Sequence, residues 1–278
     1  MINILVLGHK GMLGHMICKV MGKNPKYKVV TTDERFPNWS TDIFNNVDFV
    51  INGIGAIPQR TDDFSINYEL PIWLDQNFKG KIIHPGTDCE MDEDGYGVSK
   101  KIATDWIIKS GDNTKIIKTS IIGPELYSRV SLLEWFLYQT GKVDGYTKAI
   151  WNGVTTLEWA KQCEVIINNW ESSPILTILC GDKNSKYELL KILQECYQKN
   201  DVKIIPKELG KDKTLQGNIR VKNIREQILE LIRFDKKSNI HPTAQIGKNV
   251  TIECNDFTLG ANSIIKDKLN ILNNSTLS

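Results

Sequence analysis

The segment that most constrains the fold lies at the N-terminus, where an apolar run meets three glycines. Residues Ile4 to Leu7 lead into Gly8-His9-Lys10-Gly11-Met12-Leu13-Gly14, and a stretch of helix-forming residues follows. A strand, spaced glycines and a helix in this order are typical of a βαβ unit that holds a dinucleotide pyrophosphate on the helix N-terminus. We therefore expect cofactor contacts from Gly8, Lys10, Gly11, Met12, Leu13 and Gly14.

The first half of the chain alternates short apolar runs with amphipathic stretches. This pattern predicts parallel strands joined by crossover helices, and hence an α/β fold of the Rossmann type with a doubly wound parallel sheet. The predicted strands are Asn3–Leu7, Lys28–Thr32, Phe49–Asn52, Lys81–His84 and Lys115–Thr119, and the predicted helices are His15–Met21, Ile66–Gln76 and Val98–Lys109.

The second half is less regular and predicts a smaller α/β substrate lobe. We expect helices at Ser131–Gln139, Thr155–Asn168, Lys186–Gln198 and Val221–Ile232, a strand at Ile175–Leu179, and a turn region around Gly141, Gly145 and Gly153. Residues 1–236 would form one unit, with the cofactor-binding core at about 1–124 and 150–180 and the lobe at about 125–149 and 181–236.

The tail, residues 237–278, has a different pattern. Ile240, Ile246 and Ile252 recur every six residues, with glycines at Gly247 and Gly260. This spacing resembles the hexapeptide repeat of a left-handed β-helix, but the stretch is too short for an independent acyltransferase domain. A docked or oligomer-contacting tail of irregular strands is the other interpretation, and a homodimer is one form that such a contact would take.

Composition narrows the class of protein. With 41% hydrophobic and 24% charged residues and a net charge of +2, the sequence favours an ordered globular protein and offers no basic stripe for nucleic acid. The N-terminus lacks a charged leader, and the six cysteines form no CxxC pair. We expect a cytoplasmic protein that binds neither nucleic acid, membrane nor structural metal.

Asp33 follows the second predicted strand, where a carboxylate accepts hydrogen bonds from the ribose hydroxyls and repels a 2′-phosphate. It favours NAD. Lys10 and Arg35 are cations that would pair with that phosphate, so the sequence leaves the choice between NADH and NADPH open.

A Thr, a Tyr and a Lys with the chemistry for ketone reduction follow the fourth predicted strand. Hydride addition to a carbonyl leaves an alkoxide, which needs a proton donor, a nearby cation and a hydroxyl that orients the oxygen. Tyr96, Lys100 and Thr87 would fill these roles, with Tyr96 and Lys100 on one helix face. Tyr138–Lys142 and Tyr187–Lys191 have the same spacing but follow no strand that ends in a hydroxyl residue.

Several motifs together resemble the extended short-chain dehydrogenases/reductases, in particular the dTDP-4-dehydrorhamnose reductases. The resemblance covers about residues 1–235 and rests on the glycine loop, Asp48 to Gly53, Thr87-Asp88, Tyr96-Gly97-Val98-Ser99-Lys100 and Thr119 to Pro124. It implies reduction of the 4-keto group of a nucleoside-diphosphate 4-keto-6-deoxyhexose by NADPH or NADH. By the same resemblance, Asp42 and Ile43 border the adenine, Gly53, Ile54 and Gly55 lie along the cofactor, and Thr87, Asp88, Arg129, Trp151 and Asn152 contact the substrate.

Two departures from that family's pattern leave alternatives open. The connection from Thr87 to Tyr96 is short, and Cys89 stands where the related dehydratases carry a glutamate, which disfavours dehydration. Cys89 would serve as the base of a bifunctional 3,5-epimerase/4-reductase, although no partner acid is evident and Arg129 and Glu134 match poorly. A plain buried thiol is the simpler interpretation. A cofactor-binding regulatory subunit without catalysis is the remaining alternative.

Overall fold

A seven-stranded parallel sheet is the central feature of the protein. The computed structural model describes residues 1–111 and 113–236, and beyond them only four short strands of the tail. The seven strands are β1 (Ile2–Leu7), β2 (Tyr27–Thr31), β3 (Phe49–Asn52), β4 (Lys81–Gly86), β5 (Thr114–Lys118), β10 (Leu176–Cys180) and β13 (Ile219–Arg220). The remaining strands of this part are β6 (Ile121–Ile122), β7 (Gly141–Tyr146), β8 (Ile150–Trp151), β9 (Val154–Thr155), β11 (Asn184–Ser185) and β12 (Val202–Lys207).

Seven helices accompany these strands in the described residues. They are α1 (Met12–Met21), α2 (Ile66–Asn77), α3 (Gly95–Ser110), α4 (Leu132–Tyr138), α5 (Thr156–Asn168), α6 (Lys186–Cys196) and α7 (Ile224–Lys236). Single 3-10 turns span Thr41–Phe44, Asp88–Met91 and Trp170–Ser172. The strands and helices predicted from the sequence are present, with bounds that differ by at most about one helical turn.

The strand order places a crevice beside the glycine loop. The sheet runs β13-β10-β5-β4-β3-β1-β2, and every neighbouring pair is parallel. The winding direction therefore reverses between β1 and β3, which end at Leu7 and Asn52. In open α/β sheets, ligands bind outside the carboxyl ends of the strands at such a reversal. The predicted doubly wound α/β fold is confirmed.

Apolar side chains on both faces of the sheet explain why these strands are central. Leu5 and Val50 are fully buried, and Leu70 and Leu74 of α2 pack into the same cluster. Strands covered on both faces are expected to read as continuous apolar runs, as β1 and β3 do.

The segment after β2 is held on the sheet by aromatic packing. Trp39 contacts Phe36, Phe44 and Trp73 with ring centroids 5.3–5.5 Å apart, mostly edge to face. Aromatic pairs prefer such geometry, which adds to the free energy of burial. This cluster fixes the turn that carries the predicted adenine-side residues.

The prediction of turns around Gly141 and Gly145 is wrong. These residues lie in β7, which pairs in parallel with β12, a strand that the sequence analysis missed. A Cβ on Gly145 would come 2.8 Å from the Tyr187 ring and 2.9 Å from Ile204. The glycine serves close packing of α6 on this small sheet rather than chain reversal.

The chain divides into two compact units, residues 1–227 and 228–278, whereas the sequence places the boundary after residue 236. In the second unit, β14 (Gln245–Ile246) pairs in parallel with β16 (Ile264–Ile265), and β15 (Thr251–Glu253) with β17 (Asn270–Leu272). Ile246 and Ile252 of the six-residue pattern lie in these strands. Ile240, Gly247 and Gly260 lie outside the described residues, and the domain division and the hexapeptide repeat stay predictions.

Candidate active site

The glycine loop between β1 and α1 has a backbone that only glycine accepts at two positions. Gly8 has φ +70°, and a Cβ there would lie 2.8 Å from the carbonyl carbon of Gly53. A Cβ on Gly14 would lie 2.2 Å from the Gly8 oxygen. The loop is closed by the Gly11 N–H, which donates to the Gly8 oxygen at 2.9 Å. The sequence-based roles of Gly8 and Gly14 therefore rest on close backbone contacts.

The N-terminus of α1 is suited to an anion. The residue before it, Gly11, provides no side-chain cap, and the first turn holds no acidic residue. The first N–H groups of an α-helix have no partner within the helix and carry a partial positive charge. Met12 and Leu13 thus offer donors at the mouth of the crevice. A pyrophosphate fits this arrangement.

Asp33 and Lys10 form an ion pair next to the loop. The Lys10 ammonium lies 2.6 Å from the Asp33 carboxylate, and His9 Nε2 lies 3.7 Å from it. The hydrogen bond from Lys10 lowers the pKa of Asp33. Asp33, which favours NAD, and Lys10, which would favour NADP, therefore bind each other directly in the structure.

The other predicted cofactor residues lie around the same crevice. A Cβ on Gly8 would come 3.0 Å from Ile54, and Gly55 lies beside Asn67. Asp42 is exposed in the 3-10 turn after the aromatic cluster, whereas Ile43 packs against the core. Their contacts with an adenine stay a prediction.

The predicted catalytic residues come together at the ends of β4 and the start of α3. Thr87 directly follows β4. Its hydroxyl donates to Asp88 Oδ1 at 3.0 Å and also interacts with the Tyr96 phenol, whose pKa it lowers. Lys100 lies one turn further along α3 and donates to the Pro85 oxygen at 2.9 Å. Asp94 caps α3 by accepting the Gly97 N–H at 2.7 Å, which fixes where the helix begins.

Burial sets the protonation states of these groups. It raises the pKa of Tyr96 to about 12 and lowers that of Lys100 to about 8. The neighbouring His84 is fully buried, and its pKa is well below the usual value because of that burial and the charge of Lys100. At neutral pH the phenol is a proton donor beside an ammonium and a neutral imidazole. This set can protonate the alkoxide of a reduced carbonyl group whose oxygen lies next to the Thr87 hydroxyl.

Cys89 has a cationic neighbour that sequence reasoning missed. Lys213 Nζ lies 3.6 Å from the Cys89 sulfur and is also paired with Asp92. Cys89 in turn donates to Asp88 at 3.7 Å. Burial, together with the charges of Asp88 and Asp92, raises the pKa of the thiol to about 11 despite Lys213. The thiol is therefore protonated at neutral pH.

Asn152 holds the segment that carries Lys213 in place near the site. Its amide donates to the Leu215 oxygen at 2.9 Å and accepts the Leu215 N–H at 3.0 Å. Both polar groups of the side chain are thus bound to the main chain near Lys213. Contact between Asn152 and a substrate stays a prediction. Trp151 is buried, and the Lys186 ammonium lies 5.3 Å from the centre of its ring.

Lys186 was also missed, and it is the more unusual of the two lysines. Burial lowers the pKa of Lys186. The charges of Asp88 and Cys89 oppose this effect, and that of Lys213 adds to it. Neither lysine has a local sequence signal, because each is separated from Cys89 by about a hundred residues of chain.

Arg129 lies in a different cleft, formed by the segment after β6. Its guanidinium carbon is 3.7 Å from the centre of the Tyr138 ring. Arg129 lines a cavity of about 490 Å³ together with Glu125, Tyr127 and Glu134. Arg60 pairs with the buried Glu125 at 3.2 Å and thereby ties this segment to the turn before α2. Contact between Arg129 and a substrate stays a prediction.

The fold and the arrangement of these residues define an α/β protein of the Rossmann type. Its parallel sheet carries a glycine loop at the reversal, Thr87 directly after β4, and Tyr96 and Lys100 on α3. Across the described part of the chain, no group of three or more His, Cys, Asp or Glu is arranged to hold a metal ion. In residues 1–111 and 113–236, no helix is long and apolar enough to cross a membrane.

Among solved structures, the fold is shared with dTDP-4-dehydrorhamnose reductases. The enzyme from Clostridium acetobutylicum is 17% identical and matches with a TM-score of 0.65 over 83% of this chain and 98% of that one. The Bacillus anthracis enzyme in complex with NADP is 13% identical, with a TM-score of 0.67 over 82% and 98% of the two chains. A dTDP-glucose 4,6-dehydratase from Bacillus anthracis, in complex with NAD, is 14% identical with a TM-score of 0.61 over 86% and 98%. No protein-family model and no curated protein matches the sequence.

Proposed function

We propose that this protein reduces the 4-keto group of a nucleoside-diphosphate 4-keto-6-deoxyhexose, using NADPH or NADH. The observation that carries the proposal is the grouping of three side chains at the carboxyl ends of the strands: the Thr87 hydroxyl interacts with the Tyr96 phenol, and Lys100 lies one helical turn further along α3. The structural similarity to dTDP-4-dehydrorhamnose reductases supports the choice of substrate class.

The glycine loop and the N-terminus of α1 would hold the cofactor pyrophosphate, with Asp33 and Lys10 at the adenosine ribose. When bound there, the nicotinamide would supply a hydride for the carbonyl carbon. A close approach of phosphate to backbone fits the loop, because Gly8 and Gly14 already leave no room for a side chain there.

The chain's own residues then handle the oxygen and its proton. The Thr87 hydroxyl hydrogen-bonds the carbonyl oxygen and holds it near the Tyr96 phenol. The phenol donates its proton to the oxygen as negative charge develops, and the Lys100 ammonium stabilises the phenolate left behind. The raised pKa of Tyr96 keeps the donor protonated at neutral pH. Solvent then restores the proton.

The direct test is oxidation of NADPH or NADH by the purified full chain, with dTDP- and UDP-4-keto-6-deoxyglucose generated in place. Turnover with formation of the 4-hydroxy sugar supports the proposal. Cofactor binding without turnover of either sugar contradicts it and favours the regulatory subunit that the sequence left open.

The Lys10–Asp33 pair predicts how the choice of cofactor responds to mutation. Asp33→Asn removes a charge that repels a 2′-phosphate, so the ratio of kcat/KM for NADPH to that for NADH rises by about tenfold or more, a change of roughly 1.4 kcal/mol. Lys10→Met removes the cation and lowers the same ratio. Steady-state kinetics with both cofactors measure it.

Lys28→Met is the matched control, because Lys28 is an exposed lysine on β2 away from the loop. It leaves the ratio unchanged. A ratio that is equal in wild type, Asp33→Asn and Lys10→Met would remove this pair from cofactor recognition.

Epimerisation before reduction is a second candidate, favoured by the contact of Cys89 with Lys213. Removal of a C–H proton next to the ketone gives an enolate, and return of a proton on the other face inverts the carbon without net oxidation. Because its pKa is raised to about 11, Cys89 would be the proton donor. Burial lowers the pKa of Lys186, which is the direction that a base requires, so Lys186 is the candidate that would accept the C–H proton.

Solvent deuterium distinguishes the two candidates. An epimerase/reductase run in D₂O places deuterium at C3 and C5 of the product, and Cys89→Ser lowers this incorporation by about 100-fold while reduction of the pre-epimerised sugar continues. Mass spectrometry of the product measures both. Cys180→Ser, at a partly buried thiol elsewhere, is the control. A product without deuterium at these carbons identifies a plain 4-reductase.

The homodimer, the cytoplasmic location and the lack of nucleic-acid partners stay predictions from the sequence. Each of them is compatible with a nucleotide-sugar reductase.

A further inference from the structure

A buried ion pair lies directly beneath the catalytic threonine. Glu90, in the 3-10 turn after β4, has a side chain that is only 2% exposed. One of its carboxylate oxygens accepts the backbone N–H of Thr87 at 2.9 Å. The other accepts from Lys118, the last residue of β5, at 2.7 Å. Both oxygens are therefore engaged.

The surrounding backbone is shaped to hold this carboxylate. Gly86 precedes Thr87, and a Cβ at Gly86 would come 3.0 Å from the Glu90 carboxylate and 3.0 Å from Lys118. Glu90 also completes a capping box with Thr87, whose hydroxyl accepts the Cys89 N–H at 3.3 Å. Burying a carboxylate costs free energy unless it is paired and hydrogen-bonded, so the Thr87 N–H and Lys118 offset the cost of burying Glu90.

The negative charge of Glu90 acts on Lys100. Burial lowers the pKa of the Lys100 ammonium, and the charge of Glu90 opposes that effect. Titratable groups on the elements packed around Lys100 include His84 on β4, Asp88, Cys89 and Glu90 in the 3-10 turn, Lys115 and Lys118 on β5, Glu69 and Asp75 on α2, and Tyr96 on α3. Of these, His84 and Glu90 interact electrostatically with Lys100. From α2, the buried Asn67 amide binds Ser99 at 3.0 Å and adds no charge.

We propose that Glu90 is a positioning residue of the reduction site, which fixes the main chain of Thr87 and supplies a buried negative charge that favours the Lys100 ammonium. This inference rests on the proposed reductase function for its catalytic meaning. In this proposal Glu90 acts through Thr87 and Lys100.

Titration of Lys100 tests the charge without any substrate. In protein labelled with ¹³C-lysine, NMR follows the side chain of Lys100 against pH, and Lys100→Arg assigns its signal. Glu90→Gln keeps an acceptor for the Thr87 N–H but removes the charge, so the midpoint moves to lower pH. Lys118→Gln removes the counter-ion and leaves the carboxylate, so the midpoint moves to higher pH. An unchanged midpoint in folded Glu90→Gln would overturn the proposal.

The double variant Glu90→Gln/Lys118→Gln covers the case in which a single variant is too unstable, because it removes both charges and keeps two polar groups of similar shape. Its midpoint also moves to lower pH. Glu188→Gln is the matched control: Glu188 closes the capping box of α6 with Ser185 but has no lysine partner in that box. It leaves the Lys100 midpoint unchanged.

Kinetics connect this charge to the reaction. Reduction needs Lys100 protonated, so activity falls as pH rises through the pKa of Lys100, and a lower pKa moves this fall to lower pH. In Glu90→Gln, the ratio of kcat/KM at pH 9 to that at pH 7 falls by about threefold, as a shift of roughly half a pH unit produces. A purely structural role lowers the melting temperature without this change. If wild type reduces no sugar, the proposed function fails while the NMR titration still decides the role of Glu90.

Discussion

Replacement of Tyr96 by phenylalanine lowers kcat for sugar reduction by about 100-fold or more, the contribution typical of a positioned proton donor. The hydroxyl is removed, but the ring keeps its edge-to-face contact with Phe64, whose centroid lies 5.8 Å away. The fold and cofactor binding should therefore persist. Oxidation of NADPH or NADH at saturating sugar measures the loss, and quenching of tryptophan fluorescence measures cofactor binding.

Tyr187→Phe is the control for this prediction, because Tyr187 and Lys191 repeat the Tyr96–Lys100 spacing on α6. It keeps wild-type kcat. Retention of more than a tenth of the activity by Tyr96→Phe would show that the alkoxide receives its proton from another group.

The glycine loop predicts opposite outcomes for two alanine substitutions. At Gly14, a Cβ would meet the Gly8 oxygen at 2.2 Å and the Gly8 carbon at 2.7 Å, both backbone atoms. Gly14→Ala therefore loses about 1–3 kcal/mol or more of folding free energy. Helix propensity alone would stabilise the same variant by about 1 kcal/mol, so a loss identifies the contact with Gly8 as its cause.

Gly11→Ala is expected to weaken cofactor binding and to leave the stability of the fold almost unchanged. Its Cβ would lie 3.3 Å from the Gly8 oxygen and 3.9 Å from the Gly53 oxygen, which small shifts accommodate. Folding free energy therefore stays near that of wild type, while the methyl group occupies space that the pyrophosphate needs, and the Kd for NADPH or NADH rises by about tenfold or more. Thermal unfolding and fluorescence titration separate the two effects. Equal stability loss in both variants would contradict the assignment of separate roles.

Local patterns made the first half of the chain predictable. The strand, glycine and helix order around Gly8 depends on neighbours within a few residues, and the same holds for Tyr96 and Lys100 on one turn of α3. The apolar runs of β1 and β3 revealed buried strands because both faces of the sheet are covered. In each case, the residues concerned and the pattern that positions them lie in the same short segment of the chain.

Glycine was informative only where its context was clear. Gly145 belongs to a glycine-rich stretch that predicts a turn, yet it lies within β7 and packs against Tyr187 of α6. The sequence does not reveal which neighbour approaches a glycine, and β12 was missed because its partner strand lies far away in the chain.

The sequence by itself determined the parallel sheet, the glycine loop and the grouping of Thr87, Tyr96 and Lys100, since each is encoded by residues that are close in the chain. Only the tertiary structure decided what surrounds Cys89 and Thr87. Lys213 reaches the Cys89 sulfur because Asn152 binds the main chain of Leu215, and Lys118 reaches Glu90 because β4 and β5 are neighbours. Charges brought together by such long-range packing set the protonation states of buried groups, and no local pattern records them.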